Sequence, residues 1–313
     1  IMTGAPMPAG ADAVVMVELT RAEDGGSVVV VERAARPGDH VREAGEDLAA
    51  GQEVFPAGAV LHPGHLGVLA STGRGQVDVV RRARVGVLST GDELVDAGAP
   101  LLAGQIRDSN RPTLLALVHE AGCEAVDLGT CGDREEAIRA AVEAGVETCD
   151  ALVTTGGVSV GDYDYVKVVL DELSGGSMQW MQVAVKPAKP LAFGVVGGTP
   201  VFGLPGNPVS SMVSFELFAR PALLAMMGHG VVDRRHVQAV ADEGLPRRAD
   251  GKLHAVRVRA EYGADGRFHV RSAGGQGSHQ LRAMALANAL ALVPDGEGTQ
   301  PGGNVDVMLL AYP

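Results

Sequence analysis

Glycine-rich turns and acidic side chains occur together at the ends of short apolar runs in this sequence. The turn Thr155-Gly156-Gly157 stands directly before a predicted helix. Glycines let backbone N–H groups approach an anion closely, and a helix N-terminus favours negative charge. This turn, with Ser159 as a further donor, predicts a phosphate-binding loop. A tight turn required only by packing would contain the same glycines.

Acidic residues lie in or beside loops of the same kind, at Asp92, Glu93, Asp108, Asp133 and Asp164. A single acid at a loop–helix junction is usually a cap, and a glutamate three residues after Asp133 gives the spacing of a capping box. Several acids near a phosphate loop instead favour Mg²⁺, which binds one or two carboxylates, water and substrate phosphate oxygens. Both interpretations stay open for Asp133.

Two lysines lie three residues apart in the segment Lys-Pro-Ala-Lys-Pro at 186–190. Each proline fixes φ and removes a backbone donor, so the segment should be stiff and extended. Lys186 and Lys189 could then hold an oxyanion with little entropic loss, and we favour that over a solvated basic loop. Asn207, just before Pro208, is the expected N-cap of the following helix or part of a pocket wall.

The elements that must position these loops alternate between strand and helix patterns, which predicts a mostly parallel sheet. Ligands bind beyond the carboxyl ends of the strands in such sheets, so the loops should meet at one edge. Short apolar runs predict strands at 85–89, 125–128, 151–154 and 200–204, and helical spacing predicts helices at 111–121, 133–146, 164–173 and 209–227.

The regions before and after this α/β segment have short apolar runs separated by turn residues, a pattern that predicts β-strands. The predicted fold class is therefore α/β plus β. Residues 1–80 should be β-rich and irregular, with strands at 13–17 and 28–31, and residues 81–229 form the α/β part. Residues 230–313 should form a small closing β domain, with strands at 237–241, 253–260, 268–271, 290–293 and 305–310.

Composition narrows the classes of function. The formal net charge of −12 argues against general binding of nucleic acid or anionic membranes, and no apolar run was expected to reach the ~20 residues of a membrane span. Cys123, Cys131 and Cys149 are an odd number without CxxC spacing, which predicts reduced, buried thiols of a cytoplasmic protein. His62 and His65 have no third partner in sequence and predict a loop rather than a metal site.

The ordered set of motifs resembles the MoeA family of molybdopterin molybdenumtransferases and the gephyrin E domain. The resemblance covers essentially all 313 residues. The sequence begins inside the family pattern, so an N-terminal segment with a further active-site acid is expected to precede it. The segments that carry the resemblance are 1–6, Arg42 with 45–47, 89–94, 107–111, 155–164, 186–190, 203–210 and 276–279.

The resemblance implies an enzyme that transfers molybdenum from molybdate to adenylylated molybdopterin, with Mg²⁺ assisting and AMP released. It implies a multidomain fold with an irregular β-rich N-terminal part, an α/β sandwich similar to molybdopterin adenylyltransferases and a small C-terminal β-barrel. It also implies an elongated homodimer with active sites between subunits, and a molybdopterin adenylyltransferase as the upstream donor.

The family's functional positions fall on three groups of residues here. Two positions depart from the usual pattern: Ala188 stands where glycine is usual, and Gln182 where some members have lysine. The implied catalytic residues are Thr3, Arg42, Glu93, Asp133 and Asp164, the last three also binding metal; the implied substrate contacts are Asp92, Asp108, Ser109, Gly156, Gly157, Ser159 and Asn207; the implied molybdate ligands are Lys186, Lys189, Arg257 and Ser278.

Two other functions share some of these features. A molybdopterin adenylyltransferase would have the Thr-Gly-Gly loop but not the lysine–proline segment or the closing β domain. A non-catalytic, gephyrin-like scaffold would not need to retain the acids and lysines. For Arg257 alone, pairing with a carboxylate on a neighbouring strand is an alternative to anion binding.

Overall fold

A computed structural model describes residues 1–158 and 164–311, which form two compact units, Ile1–Ala59 and Val60–Pro313. In the first unit, β1 (Thr20–Glu23) pairs antiparallel with β2 (Val28–Val31). The second strand matches the prediction, but the strand expected at 13–17 is wrong. The turn at 24–27 contains two positive-φ glycines and joins the two strands that pair, 20–23 and 28–31. The apolar run at 13–17 lies outside this hairpin and has no partner strand among the described residues.

Helix α1 (Pro63–Ser71) opens the second unit, in a region for which no helix was predicted. The start of this helix gives His62 and His65 a structural role. His62 and His65 each bond the other's backbone N–H in a capping box, and Pro63 occupies the first turn, where a missing donor costs nothing. The histidines therefore begin a helix instead of lying in a loop.

A mixed sheet follows α1, and its four parallel strands were all predicted. The chain runs β3 (Arg84–Thr90), β4 (Leu94–Val95), β5 (Ile106–Arg107), α2 (Asn110–Glu120), β6 (Glu124–Cys131), α3 (Glu135–Thr148), β7 (Ala151–Thr155), α4 (Tyr165–Leu173), β8 (Gln179–Gln182), β9 (Val185–Lys186), β10 (Pro190–Val196) and β11 (Thr199–Leu204). Over the described residues the strand order is β6-β3-β7-β11-β10-β8. The first four are parallel, and the antiparallel strands β10 and β8, which were not predicted, extend one edge.

Both faces of this sheet are covered by helices. Val85 and Val87 of β3 pack with Leu114 of α2 and Phe215, while Leu88, one residue on, packs with the α3–α4 side. Alternate residues of a strand point to opposite faces, so a strand buried on both faces is apolar throughout, as the run at 85–88 is. Each large apolar side chain fully buried here contributes about 1.5–3 kcal/mol.

The helix after β11 consists of α5 (Pro208–Ser214), a π-helical turn at Phe215–Ala219 and α6 (Arg220–Met226). By length and composition alone, Pro208–Met226 could cross a membrane, although Glu216 and Arg220 interrupt its apolar residues. Its Val209, Val213 and Leu223 are fully buried against the sheets. A core helix passes the same test, so the finding is weak evidence for a membrane span.

Glu216, on the π-helical turn, joins this helix to the region that follows. Its buried carboxylate accepts two hydrogen bonds from Arg234, both at 2.9 Å. Arg234 also donates to the Leu310 carbonyl at 2.9 Å and to Glu120 of α2 at 2.8 Å. Burial opposes the charge on Arg234, but these carboxylates outweigh it and raise the pKa of the guanidinium. Removing one partner of such a buried pair typically costs 3–5 kcal/mol.

The closing region is a small β-barrel, as predicted. Its elements are β12 (His236–Ala241), β13 (Leu245–Pro246), β14 (Leu253–Tyr262), β15 (Phe268–Ser272), α7 (Leu281–Leu286), β16 (Ala289–Val293), β17 (Gly298–Thr299) and β18 (Asn304–Leu309). The order is β15-β12-β18-β16-β14, and β14 pairs again with β15 to close the ring. Strand β9, from the α/β part of the sequence, is added to this sheet through β14. The three-part division of the chain stays a prediction.

Candidate active site at the carboxyl edge of the sheet

The carboxyl ends of β6, β3, β7 and β11 lie side by side. Thr90 is in register with Cys131, while Ser89 and Leu204 are in register with Thr155. The loops that follow these strands therefore meet at one edge, as the sequence predicted from strand alternation. The edge contains the predicted acids and the Thr155-Gly156-Gly157 turn.

Asn110, the first residue of α2, connects several of these loops. Its side-chain Nδ2 donates to Thr155 Oγ1 and to the Gly206 carbonyl, both at 2.8 Å. Thr155 in turn donates to the Pro205 carbonyl at 3.2 Å. Asn110 thus ties the turn after β7 to the loop after β11. It was not among the candidate site residues; only its place in the Arg-Asp-Ser-Asn-Arg segment marked it.

Asp108 has a structural role in the described contacts. Its side chain is buried, and Oδ1 accepts from the backbone N–H groups of Asn110 and Arg111, both at 3.0 Å. Oδ2 accepts from Arg111 Nε at 3.3 Å and Thr130 Oγ1 at 3.2 Å. This carboxylate holds the start of α2, and its expected contact with substrate stays a prediction. Neighbouring Ser109 is half-buried, and its carbonyl accepts from the Thr113 hydroxyl.

Asp92 and Asp133 bind each other's backbone across two loops. Asp133 N–H donates to Asp92 Oδ1 at 3.0 Å, and Asp92 N–H donates to Asp133 Oδ2 at 3.4 Å. Helix α3 begins after Arg134 without a side-chain cap, so the capping box predicted at Asp133 is wrong. A tertiary contact takes the place of the cap, because the Asp133 carboxylate and backbone N–H both bond to Asp92. Both carboxylates and that of Glu93 stay exposed at the edge.

Asp164 caps α4. Its Oδ1 accepts from Val166 N–H at 3.1 Å and from Lys167 N–H at 3.4 Å. Gly157 lies against this helix start, since a Cβ there would come within 2.3 Å of Val166 and 2.9 Å of Asp164 Oδ1. Ser159, the predicted further donor, lies outside the described residues. Asn207 is exposed and occupies the N-cap position of α5 without a side-chain cap bond.

Within residues 1–158 and 164–311, no group of three His, Cys, Asp or Glu side chains is placed to bind a metal ion. Glu93, Asp133 and Asp164 thus do not form a preassembled triad. A magnesium ion at this edge would depend on one or two of these carboxylates and on oxygens of the substrate. Thr3 and Arg42 are both exposed on the first unit.

A strongly basic cavity of about 260 Å³ lies where β9 meets the barrel. Four basic residues line it and one acid, Asp250, lies among them, in a chain with a net charge of −12. Lys186 Nζ is 3.9 Å from Asp250 Oδ2 and remains 60% exposed. The basic lining residues are Lys186, Arg247, Arg248 and Arg257.

Arg257 is the unusual member of this cavity, because it is only 1% exposed. Its Nη2 donates to the carbonyls of Gly275 and Gly277 at 2.9 and 3.1 Å. Among the described residues it has no carboxylate partner, and its buried Nε has no hydrogen-bond partner. Burial without a counter-charge lowers the pKa of the guanidinium to about 10. The alternative of a carboxylate pair on a neighbouring strand is therefore wrong for the described residues.

The four expected molybdate ligands do not all line this cavity. Lys189 lines a separate cavity of about 200 Å³, and Ser278 lines neither, although its carbonyl accepts from Val209 N–H at 3.0 Å. Lys186 belongs to β9, which pairs with the barrel, whereas Lys189 precedes β10 of the main sheet. Ala188 between them is buried at φ 107°, a conformation that favours the glycine usual in the family.

Three family descriptions match successive parts of the chain. Residues 1–73 match the MoeA N-terminal region (domains I and II), residues 86–225 a probable molybdopterin binding domain, and residues 239–310 the MoeA C-terminal region (domain IV).

Similar proteins match nearly the whole chain. It is 38% identical over 304 residues to the molybdopterin molybdenumtransferase of Haemophilus influenzae, covering 97% of this chain and 74% of that protein. It is 41% identical over 302 residues to molybdopterin molybdenumtransferase 2 of Mycobacterium tuberculosis, covering 94% and 72%. The crystal structure of the molybdopterin biosynthesis MoeA protein of Pyrococcus horikoshii matches with a TM-score of 0.79 at 27% identity, over 99% of this chain and 74% of that one.

The close packing of the Thr155-Gly156-Gly157 turn can be tested with a matched pair of glycines. Gly156 (φ 94°) has no room for a methyl group, because a Cβ would lie 2.6 Å from the Thr90 carbonyl oxygen, whereas Gly176 (φ 80°) faces open space. Gly176→Ala should cost about 1–2 kcal/mol, the penalty of the left-handed backbone alone. Gly156→Ala should cost a further ~1–3 kcal/mol from overpacking, measured by urea unfolding. Equal losses would show that the turn has room to relax.

Proposed function

We infer that this chain, which belongs to the MoeA family of molybdopterin molybdenumtransferases, inserts molybdenum into molybdopterin in the synthesis of the molybdenum cofactor. The observation that carries the inference is Arg257, which is buried with no counter-charge among the described residues, in a basic cavity where β9 joins the barrel. A doubly charged tetrahedral oxyanion such as molybdate would satisfy it. The substrates are then molybdate and adenylylated molybdopterin, and AMP is the second product.

The basic cavity where β9 meets the barrel, called the oxyanion cavity below, is proposed to bind molybdate through Lys186 and Arg257. An ammonium group and a guanidinium fork provide donors from different directions, as a tetrahedral anion requires. Arg257 is fixed in advance by two carbonyls, so little of its freedom is lost on binding. Ser278 is proposed to contribute from the same barrel loop. The amide of Gln276, which lines the cavity, bonds the Arg257 backbone and holds that loop in place.

Lys186→Ala tests this assignment. The variant should raise the molybdate concentration for half-maximal AMP release roughly 10–150-fold, since one charge-assisted contact is worth about 1.5–3 kcal/mol. Affinity for adenylylated molybdopterin should stay nearly unchanged. Arg259→Gln, an exposed cation on β14 paired only with Glu261 in the described structure, serves as the matched control. Loss of pterin binding with an unchanged molybdate dependence would contradict the assignment, and absence of AMP release from the unaltered protein would favour a non-catalytic scaffold.

The acids of the sheet edge are proposed to serve the adenylyl end of the substrate. Mg²⁺ would supply neutralisation of the negative charge that develops on the departing AMP. Glu93, Asp133 and Asp164 are the candidate ligands, and the exposed carboxylates of Glu93 and Asp133 fit a site completed by substrate oxygens. The Thr155-Gly156-Gly157 turn, Asp92 and Asn207 border the same edge, and we propose them as substrate contacts.

Asp164→Asn separates the charge of this residue from its structural role. Asparagine caps helices about as well as aspartate, so the cap on α4 and the stability should be retained. AMP release should fall by about 10²–10³-fold, the scale for losing one preorganised electrostatic group. The measurement is AMP release with and without EDTA, beside urea unfolding of the variant. A rate unchanged by the substitution and indifferent to EDTA would remove Asp164 and the metal from the proposal.

The active protein is proposed to be a homodimer in which Thr3 and Arg42 of one subunit act with the sheet-edge acids of the other. An upstream molybdopterin adenylyltransferase would supply the adenylylated substrate. Cys123, Cys131 and Cys149 are free, and burial raises the pKa of the Cys123 thiol to about 11, so this thiol is inert. Free thiols fit a reducing compartment, and we propose the cytoplasm.

Mixing inactive variants tests the shared site. Arg42→Ala and Asp133→Asn chains should each be nearly inactive alone, because each damages both sites of its own dimer. After mixing and subunit exchange, one of the two sites in a mixed dimer has no substitution, so part of the AMP release should return. Mass measurement confirms the mixed dimer. As the control, two preparations of the Arg42→Ala chain are mixed in the same way, and no activity should return. Mixed dimers without any rescue would place both residues in the same subunit's site.

A further inference from the structure

A guanidinium lies behind the acid-bearing edge of the main sheet, in the first turn of α2. Arg111 donates from Nη1 to Asp127 Oδ2 at 2.5 Å, from Nε to Asp108 Oδ2 at 3.3 Å and from Nη2 to Asp96 Oδ1. Its side chain is 14% exposed. Burial opposes the charge, but these carboxylates outweigh that effect and raise the pKa of the guanidinium. A cation in the first turn opposes the helix dipole, so the helix alone does not explain this arginine.

Asp96 connects Arg111 to the loop that contains Asp92 and Glu93. It follows β4 directly, in the segment that returns to α2 through β5. The two ends of this segment are bonded together, since Ile106 N–H donates to the Glu93 carbonyl at 2.8 Å. Asp96 is 67% exposed, so burial does not impose its bond to Arg111. Through this bond the position of Glu93 is attached to α2.

Asp127 connects Arg111 to the loop that contains Asp133. It lies in β6, where the pairing of that strand with β3 shifts register. Its second carboxylate oxygen, Oδ1, accepts from Gly129 N–H at 2.8 Å and so supports the irregular turn of the strand. Strand β6 ends at Cys131, and Arg111 therefore fixes the chain just before the Asp133 loop begins.

We propose that Arg111 is a positioning residue for the metal site of the sheet edge: it holds the loop of Glu93 and the loop of Asp133 at one spacing, so that Mg²⁺ meets both carboxylates already in place. This proposal rests on the proposed function. None of the described bonds of Arg111 goes to either carboxylate, so it acts through Asp96 and Asp127. Its charge is balanced by three acids and repels a metal ion weakly. Outer-shell partners of this kind are typically worth 10–100-fold in metal affinity.

Mn²⁺ serves as the probe, because free Mn²⁺ gives an electron paramagnetic resonance signal that is lost on binding and it prefers the same oxygen ligands. The 313-residue chain is titrated with Mn²⁺ in the presence of AMP, whose phosphate supplies the remaining oxygens. Arg111→Gln should weaken Mn²⁺ about 10–100-fold. Arg111→Lys should weaken it nearly as much, because lysine keeps the charge but not the planar fork. The Mg²⁺ concentration for half-maximal AMP release should rise in parallel, and that of molybdate should not.

Two exposed acids test the route of this effect without disturbing the core. Asp96 and Asp127 are 67% and 47% exposed, and Asp96→Asn or Asp127→Asn should weaken Mn²⁺ by up to about fivefold, the value of an exposed ion pair. In the Arg111→Gln chain neither change should have a further effect, because the shared contact is already lost.

Arg139→Gln is the matched control. Arg139 also bridges two acids, Glu135 and Glu172, but on α3 and the far end of α4. The variant should lose stability in urea and bind Mn²⁺ as the unaltered chain does. Folding of Arg111→Gln is expected, since Asp108 keeps two backbone N–H donors and the hydroxyl of Thr130.

The proposal is overturned if Mn²⁺ does not bind the unaltered chain with AMP, if Arg111→Gln leaves its affinity unchanged, or if Arg139→Gln lowers it equally. The same measurements separate it from the proposed function. If molybdate releases AMP while Mn²⁺ binding is independent of Arg111, the positioning role fails and the function stands. If Mn²⁺ binding depends on Arg111 but no AMP is released, the positioning role stands and the proposed function fails.

Discussion

The parallel register of β3, β6, β7 and β11 is the constraint on which the candidate site depends. Because their carboxyl ends are aligned, loops as far apart in sequence as those after Thr90 and Leu204 meet at one edge. Alignment alone leaves those loops free to splay apart, and Asn110 prevents this by donating to both Thr155 and Gly206. A neutral amide suits this position, since it can donate twice without adding charge to an edge that already contains several acids.

Two of the contacts between the barrel and the rest of this unit have different consequences. The buried pair of Glu216 and Arg234 fixes the barrel against the helix after β11, through partners at α2 and at the end of β18. The short pairing of β9 with β14 brings Lys186 into the barrel sheet, next to the strand that contains Arg257. The oxyanion cavity exists only because a piece of the α/β segment is built into the barrel.

Sequence patterns predicted the parallel strands and the barrel well, because buried strands contain apolar runs such as that at 85–88, which a glycine turn follows at Gly91. They missed α1, whose cap is an uncommon pair of histidines, and β8, whose residues alternate weakly at an exposed sheet edge. Site residues were harder to predict because a carboxylate has several uses. Asp108 and Asp133 have the same carboxylate group. That of Asp108 is buried and accepts bonds from the first N–H groups of α2, whereas that of Asp133 is exposed beside Asp92. Only tertiary contacts distinguish them.

The charge distribution explains how an acidic chain can handle anions. Exposed acids are screened by water and salt beyond roughly 8–10 Å, so the net charge of −12 acts weakly on a bound ligand. Arg257, in contrast, is buried with no counter-charge among the described residues, and this burial lowers the pKa of its guanidinium. A dianion in the cavity would reverse that shift. If the cavity binds an anion as proposed, the cost of burying an arginine that has no carboxylate partner among the described residues would be offset by binding.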